Sequence, residues 1–314
     1  MDSLGARPSA AGLLGVLLAA VALSACRTAP PNSLEGLLAV NGTELFVKRV
    51  GSGSPVLVIH GGPVMEHGYL LPWLEPLARE RELIFFDQRL SGRSAGVVDS
   101  ASVRLDTLVA DMEGIRQALG LERWDLLAHS WGGLLAQRYA VLHPERVASM
   151  VLVSPMAPSA ALWQAEEVAL AGRITPEHQL EAARLREAPG LGEGDTAAIA
   201  ALLRHSFRLQ FHEPARAADL ALFVPPDYLE RSRQFGAMMP DLVDFDFHAD
   251  LAKVNAPVLL IFGEDEPGGD LGGVALEEAL PHATLVRIPG AGHFPFMEAQ
   301  DAFLAHVRDF LEGR

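Results

Sequence analysis

Short apolar runs alternate with amphipathic segments along the first half of the chain. Runs rich in Val, Leu, Ile and Phe predict buried strands at residues 56–59, 83–86 and 147–153, and a further strand that ends at Leu126-Leu127. Helical spacing predicts helices over residues 72–80, 105–119 and 132–142. The second helix should end at Gly120, and a hairpin over residues 37–50 should turn at Asn41-Gly42. This alternation predicts an α/β fold with a mostly parallel sheet covered by helices on both faces.

The pattern changes after the fourth predicted strand. Residues 157–250 are rich in alanine and arginine, have helical spacing and contain few β-branched residues. Strand patterns return at residues 258–262 and 284–288, and a closing helix fits residues 299–312. The helical block is therefore predicted to be a cap inserted over one edge of the sheet. The predicted organisation is a first core part, a cap and a second core part at residues 36–156, 157–250 and 251–314.

Composition and charge narrow the class of protein. The chain of 314 residues is 49% hydrophobic and 21% charged, which excludes a disordered chain. Lys and Arg total 25 against 40 for Asp and Glu, a formal charge of −15. Phosphate binding needs a basic surface, so no nucleic-acid partner is expected. The single cysteine, Cys26, excludes a disulfide within the chain and a cysteine-based zinc site.

The amino terminus has the features of an export signal. Residues 13–23 form an uncharged apolar run of 11 residues, which is short for a membrane span. The segment Leu23-Ser24-Ala25-Cys26 that follows resembles a bacterial lipobox. The resemblance implies a signal peptide at residues 1–25, lipidation of Cys26 and a tether at residues 26–35. The protein would then be an exported lipoprotein; in a Gram-negative host it would be anchored in the outer membrane and face the periplasm. An ordinary signal peptide or a short anchor helix remains the alternative.

A candidate nucleophile lies between a predicted strand and a predicted helix. The segment reads Ala128-His129-Ser130-Trp131-Gly132, close to the pattern G-x-S-x-G. A serine on such a sharp turn points outward, and the crowded turn requires small neighbours. Ser130 is therefore the candidate nucleophile.

A glycine-rich loop after the first buried strand, His60-Gly61-Gly62-Pro63, is the candidate oxyanion loop. Acyl transfer requires N–H donors aimed at the developing oxyanion. The backbone N–H groups of Trp131 and Gly62 are the candidates, because proline has no N–H and glycine permits close approach. His60 is interpreted as a residue that holds the loop.

His293, in a glycine-flanked loop after the last predicted strand, is the candidate general base for Ser130. Such a base needs a carboxylate to orient it. Glu266 stands three residues after Gly263, the glycine that follows the strand predicted at residues 258–262, and is favoured, with Asp265 as the alternative acid. The order serine, acid, histidine is that of α/β-hydrolases.

Eight other histidines are interpreted as surface or helix-end residues, and no pair of them has metal-ligand spacing. They are His67, His143, His178, His205, His212, His248, His282 and His306. No metal and no cofactor are expected, and the expected partner is a small-molecule or peptide substrate.

The mature chain resembles the α/β-hydrolase superfamily, and more narrowly its proline iminopeptidase branch. The motifs that carry this resemblance are His60 to Pro63, Asp87-Gln88-Arg89 with Gly92-Arg93-Ser94, and Ser130-Trp131-Gly132. The resemblance implies a peptidase that removes an N-terminal residue, often proline, through a serine triad under a helical cap. It also implies that Asp87 and Arg89 belong to the framework.

The chain departs from the pattern of that branch at Val64, Leu90 and Ala128, each of which replaces a glycine. The cap lacks the paired tryptophans with a glutamate found in many prolyl peptidases. Glu166 and Glu167 follow its Trp163, and they are the candidate partners of a substrate amine. Glu213 and Glu230 could also serve. The predicted activity is an iminopeptidase-like serine hydrolase; a carboxylesterase or lactonase with the same triad, and a non-catalytic binding lipoprotein, remain alternatives.

Overall fold

The computed structural model describes residues 34–96 and 99–313. Eight strands form one sheet in the order β1-β2-β4-β3-β5-β6-β7-β8. The strands are β1 Glu35–Val40, β2 Thr43–Gly51, β3 Ser54–Ile59, β4 Arg81–Phe86, β5 Trp124–His129, β6 Val147–Val153, β7 Val258–Gly263 and β8 Ala283–Ile288. The β1–β2 hairpin joins the sheet antiparallel, and the strands from β3 to β8 pair in parallel. The predicted mostly parallel sheet is confirmed.

The helices follow the strands in the predicted alternation. They are α1 Leu71–Leu74, α2 Leu105–Ala118, α3 Trp131–Leu142, α4 Ala160–Ala171, α5 Pro176–Arg186, α6 Thr196–Phe207, α7 Tyr228–Phe235, α8 His248–Leu251, α9 Gly272–Ala279, α10 Pro295–Glu298 and α11 Gln300–Glu312. Gly120 follows the end of α2 with φ of 69°, as the sequence predicts for this glycine. The helix predicted over residues 72–80 is wrong in type beyond Leu74, where a 3₁₀ helix, Glu75–Arg79, replaces it. Pro76 has no N–H to continue an α-helix there.

The apolar core lies on both faces of the sheet. On one face, Leu57 and Ile84 pack in a cluster that includes residues of α2, α3 and α9. On the other face, Val58 and Phe85 pack in a cluster that includes residues of α11. Alternate strand residues point to opposite faces, so both faces are buried by helices. The carboxyl ends of the parallel strands all lie at one edge of the sheet.

The chain between β6 and β7 forms helices α4 to α8 and several 3₁₀ turns. Its two ends meet, since the Ala160 N–H donates to the Phe245 carbonyl at 2.9 Å and the Phe247 N–H donates to the Pro158 carbonyl at 2.9 Å. The segment therefore leaves and rejoins the core at one place. Within the described residues, every helix is too short or too polar to cross a bilayer. The predicted signal peptide, Cys26 and most of the tether lie outside the described residues.

Candidate active site

A cavity of about 350 Å³ lies where the carboxyl ends of the central strands meet the helical segment. Most of the residues proposed for chemistry from the sequence line it. These are Gly62, Ser130, Trp131, Glu166, Glu167, Glu266 and His293. Side chains from four separate parts of the chain thus converge on one space. Asp265 is not among the lining residues.

Ser130 occupies a sharp turn between β5 and α3. Its backbone is left-handed, with φ of 55° and ψ of −123°, which is rare for a residue with a side chain. A Cβ on Gly132 would stand 2.5 Å from the Ile59 carbonyl oxygen, and one on Gly61 would stand 2.9 Å from Ser130 Cβ. The turn therefore requires Gly132, and the loop after β3 that packs against it requires Gly61. Ala128, fully buried in β5, fits with its methyl group.

The loop after β3 leaves one glycine N–H available. The Gly61 N–H donates to Tyr69 Oη at 2.7 Å, so it is already occupied. Gly62, with φ of 129°, lines the cavity. Trp131 begins α3, and the first N–H groups of a helix have no partner within the helix. The N–H groups of Gly62 and Trp131 are therefore the suitable donors at this end of the cavity.

His60 holds this loop from behind. It is fully buried, and its Nε2 accepts a hydrogen bond from the Gln88 N–H at 3.1 Å. The Gln88 side chain donates to the His60 carbonyl at 2.7 Å. Burial lowers the pKa of His60 to about 4, so the ring is neutral at ordinary pH. These contacts agree with a structural role for His60.

His293 and Glu266 form a close pair beside the cavity. His293 Nδ1 lies 2.5 Å from Glu266 Oε1. The second oxygen of this carboxylate, Oε2, accepts a hydrogen bond from Ser154 Oγ at 2.5 Å. Ser154 is buried at the end of β6 and has a left-handed φ of 44°. Ser154 thus fixes the carboxylate that faces His293, and nothing in the sequence pattern marked it.

Asp265 points elsewhere. Its carboxylate contacts Nδ1 of His212 at the surface, and this hydrogen bond raises the pKa of His212. Both side chains are more than 40% exposed. The structure therefore brings Glu266, and not Asp265, to His293.

A buried chain of hydrogen bonds connects the loops of Gly61 and His293. Tyr69 Oη accepts from the Gly61 N–H and lies 2.7 Å from His129 Nδ1. His129 Nε2 lies 2.9 Å from the His293 carbonyl, which can only accept. His129 is therefore protonated on Nε2, and burial lowers its pKa well below the usual value. Tyr69 and His129 were missed by the sequence reasoning because neither belongs to a motif that requires its side chain.

The interpretation of His67 as a surface residue is wrong, because it is buried. His205 is also buried, but it lies in the last turn of α6 and is therefore a helix-end residue, as predicted. His67 Nδ1 lies 2.6 Å from Asp87 Oδ1, and ligand atoms of Glu66, His67 and Asp87 lie within 4.8 Å of one another. Arg93 already occupies both carboxylates: its N–H donates to Asp87 at 2.8 Å and its guanidinium donates to Glu66 at 2.9 Å. This cluster fastens the loop after β4 to the loop after β3, which agrees with a framework role for Asp87.

Glu166 and Glu167, on α4, differ in their surroundings. Glu166 Oε1 accepts a hydrogen bond from the Gly272 N–H at 3.0 Å, which joins α4 to the start of α9. Burial, with the nearby Glu266 carboxylate, raises the pKa of Glu166 to about 8. Glu167 is exposed at the same cavity. Of the two, Glu167 is the freer carboxylate.

We expect Glu166→Gln to stabilise the protein increasingly from pH 5 to pH 8. The folded pKa of Glu166, about 8, lies above its ordinary value of 4.5. Between these values the unfolded chain releases the proton first, so stability falls as the pH rises. Glutamine removes this penalty, and the gain at pH 8 should reach about 4 kcal/mol, or about 10 °C in Tm. Thermal melts of the variant and wild type at both pH values measure it.

The matched control for this prediction is Glu167→Gln on the next residue, whose exposed side chain should give the same Tm difference at both pH values. A Glu166→Gln gain that does not grow with pH would contradict the raised pKa.

Comparisons with known proteins agree with this architecture. A family model described as alpha/beta hydrolase fold matches residues 54–300. A proline iminopeptidase of Heyndrickxia coagulans is 28% identical over 295 residues, which cover 89% of this chain and 99% of that protein. A proline iminopeptidase of Lactiplantibacillus plantarum is 27% identical over 290 residues, covering 86% and 98%. The crystal structure of a Mycobacterium smegmatis proline iminopeptidase superposes with a TM-score of 0.64 at 23% identity, covering 88% of this chain and 97% of its own.

Proposed function

The chain belongs to the α/β-hydrolase fold family and is a hydrolase, and we propose that it is a serine aminopeptidase of the proline iminopeptidase type that acts on small peptides or amides. The observation that carries this proposal is the convergence of Ser130, on a strained turn, with the His293–Glu266 pair in one cavity. The two proline iminopeptidase relatives align over 98–99% of their own length, which supports the narrower activity.

In the proposed reaction Ser130 Oγ attacks the carbonyl carbon of the N-terminal residue. His293 Nε2 takes the serine proton and then donates it to the leaving amine as the C–N bond breaks. A water molecule, deprotonated by His293, attacks the acyl-enzyme; the released N-terminal residue leaves as a carboxylic acid and the proton returns to Ser130. Glu266 holds His293 in the tautomer with hydrogen on Nδ1, and Ser154 keeps the carboxylate of Glu266 in that position.

The oxyanion of each tetrahedral intermediate would lie at the N–H groups of Gly62 and Trp131. Removing one such donor costs about 3 to 4 kcal/mol in comparable enzymes. The hydrogen-bonded chain through Tyr69 and His129 ties the oxyanion loop to the His293 loop. These hydrogen bonds would keep the oxyanion donors and His293 in fixed relative positions while negative charge develops on the substrate oxygen.

A free amine on the substrate needs a carboxylate partner, and Glu167 is the proposed one. Its neighbour Glu166 accepts a hydrogen bond from the Gly272 N–H and has a raised pKa, so it is largely protonated at pH 7. Glu166 is therefore the weaker partner for the substrate amine. Both side chains line the cavity that contains Ser130.

The function is tested with the soluble chain lacking residues 1–26. We expect it to hydrolyse prolyl and other aminoacyl arylamides and to lose this activity when the substrate amine is acetylated. Glu167→Gln should raise the KM for the free-amine arylamide about tenfold, because a charged contact is lost, with little change in kcat. Short p-nitrophenyl esters, which have no amine, should be hydrolysed equally by the variant and the wild type.

A different result would favour the second activity. Ester hydrolysis without arylamide hydrolysis would exclude the aminopeptidase and indicate a carboxylesterase or lactonase with the same machinery. Equal hydrolysis of free and acetylated arylamides would exclude recognition of the amine.

The proposal extends to the location of the enzyme, which we place at a membrane through lipidated Cys26 after export. The support is the uncharged run at residues 13–23 and the position of the sole cysteine at the end of the lipobox-like segment. Mass spectrometry of the amino-terminal peptide of the mature protein would show whether it begins at Cys26 and carries the added mass of the lipid.

A further inference from the structure

We propose that Arg173 forms a carboxylate subsite of this cavity, which binds the free C-terminus of a dipeptide or tripeptide substrate. The inference rests on the proposed aminopeptidase function and narrows its substrate class. It assigns to Arg173 the recognition of the leaving part of the substrate, at a distance from the amine that Glu167 would bind.

Acidic side chains outnumber basic ones in the cavity wall. The cavity wall includes the carboxylates Glu167 and Glu266, the largely protonated Glu166, and many apolar side chains. Within the described part of the chain, Arg173 is the one lysine or arginine among the lining residues. A cavity with acidic groups and a single arginine complements a substrate that carries both an amine and a carboxylate.

The guanidinium of Arg173 is positioned without a charged partner. Nη1 donates to the Leu209 carbonyl at 3.2 Å, and Nη2 donates to the Asp265 carbonyl. Among residues 34–96 and 99–313, no carboxylate forms an ion pair with Arg173, and that of Asp265 contacts His212 instead. Carbonyl groups fix the guanidinium but leave its charge uncompensated. Arginine has five N–H donors, so others remain for a carboxylate.

The spacing fits a short peptide. Glu167 lies in α4, and Arg173 follows two residues after that helix ends. Six residues at 1.5 Å each separate their backbones by about 9 Å along the helix direction. An extended peptide spans about 3.3–3.6 Å per residue, so the amine and carboxylate of a dipeptide or tripeptide lie about 7–10 Å apart. An extended peptide of four or more residues exceeds this spacing.

A second arginine provides a matched control. An open groove of about 620 Å³ adjoins the cavity at Arg173, which lines both, and Arg208 lines only the groove. Arg208 therefore contributes a positive charge nearby without facing the cavity that contains Ser130. A general effect of positive charge would involve both arginines, whereas a carboxylate subsite involves only Arg173.

The test compares Pro-Ala with Pro-Ala-amide, which differ only in the charge at the C-terminus. For the wild type we expect kcat/KM to favour the free acid about tenfold, mainly through KM, since a charge-assisted contact is lost in the amide. Arg173→Gln should reduce this ratio to about one, Arg173→Lys should keep part of it, and Arg208→Gln should leave it unchanged. Melting curves of each variant confirm that it is folded.

Equal hydrolysis of acid and amide by the wild type, or a ratio that survives in Arg173→Gln, would overturn the subsite while leaving the aminopeptidase in place. If the wild type cleaves only esters, the aminopeptidase fails, and the same ratio is measured with 4-acetoxybenzoate and its methyl ester, whose leaving groups differ in one carboxylate. An Arg173-dependent preference for the acid supports the carboxylate subsite there, and its absence overturns it.

Discussion

Ser130→Ala is expected to reduce kcat by a factor of about 10⁴ to 10⁶ on any substrate that the wild type hydrolyses. Removing a serine nucleophile removes the covalent route, and the remaining binding groups supply only weak catalysis. Alanine keeps the Cβ and the left-handed backbone of Ser130, so the strain at φ of 55° persists and Tm should change little. Steady-state kinetics and labelling with a serine-directed fluorophosphonate measure the loss.

The control for this variant is Ser206→Ala, a change at an exposed serine of α6. It should keep both the hydrolysis and the labelling. If Ser130→Ala retained more than about one hundredth of the wild-type rate, or were still labelled, Ser130 would not be the nucleophile and the acyl-enzyme mechanism would fail.

The second prediction with a large effect distinguishes the roles of the adjacent acids Asp265 and Glu266. We expect Glu266→Gln to lower kcat by about 10³-fold or more, because an amide neither fixes the His293 tautomer nor stabilises the imidazolium. Asp265→Asn should change kcat less than about threefold, since Asp265 faces His212 at the surface. Both changes replace a carboxylate by the amide of equal size, so each variant is the control for the other.

Kinetics on one substrate, with Tm measured for both variants, complete this comparison. The reverse ranking would show that Asp265 orients His293 in the working enzyme and would contradict the contact of 2.5 Å between His293 Nδ1 and Glu266 Oε1.

Both predictions depend on loops that the fold places at one edge of the sheet. Parallel strands deliver their carboxyl ends to the same side, so Ser130 after β5, Ser154 after β6 and Glu266 after β7 become neighbours. The segment that begins with α4 then covers this edge and adds Glu167 and Arg173 to the cavity wall. The core thus supplies the proposed chemistry and α4 supplies the proposed recognition of the substrate.

The amino-acid sequence by itself determined the strands, most helices and the turns that carry the proposed chemistry. Buried parallel strands need continuous apolar runs, and a serine on a left-handed turn needs small neighbours, so both leave local signals. Gly132 illustrates the second case, because a side chain there would collide with the backbone of β3. The α-helix predicted over residues 72–80 is wrong beyond Leu74, because a proline changes the helix type to 3₁₀ without interrupting the apolar pattern.

Only the tertiary structure decided which acid faces His293 and which polar groups support it. Asp265 and Glu266 are adjacent in sequence, but the backbone after β7 directs one to the surface and the other to the cavity. The support from Ser154 joins residues 112 positions apart, and the contact of His129 with the His293 carbonyl joins residues 164 apart. Hydrogen bonds depend on distance and direction between side chains, and those quantities exist only once separate strands have been brought together.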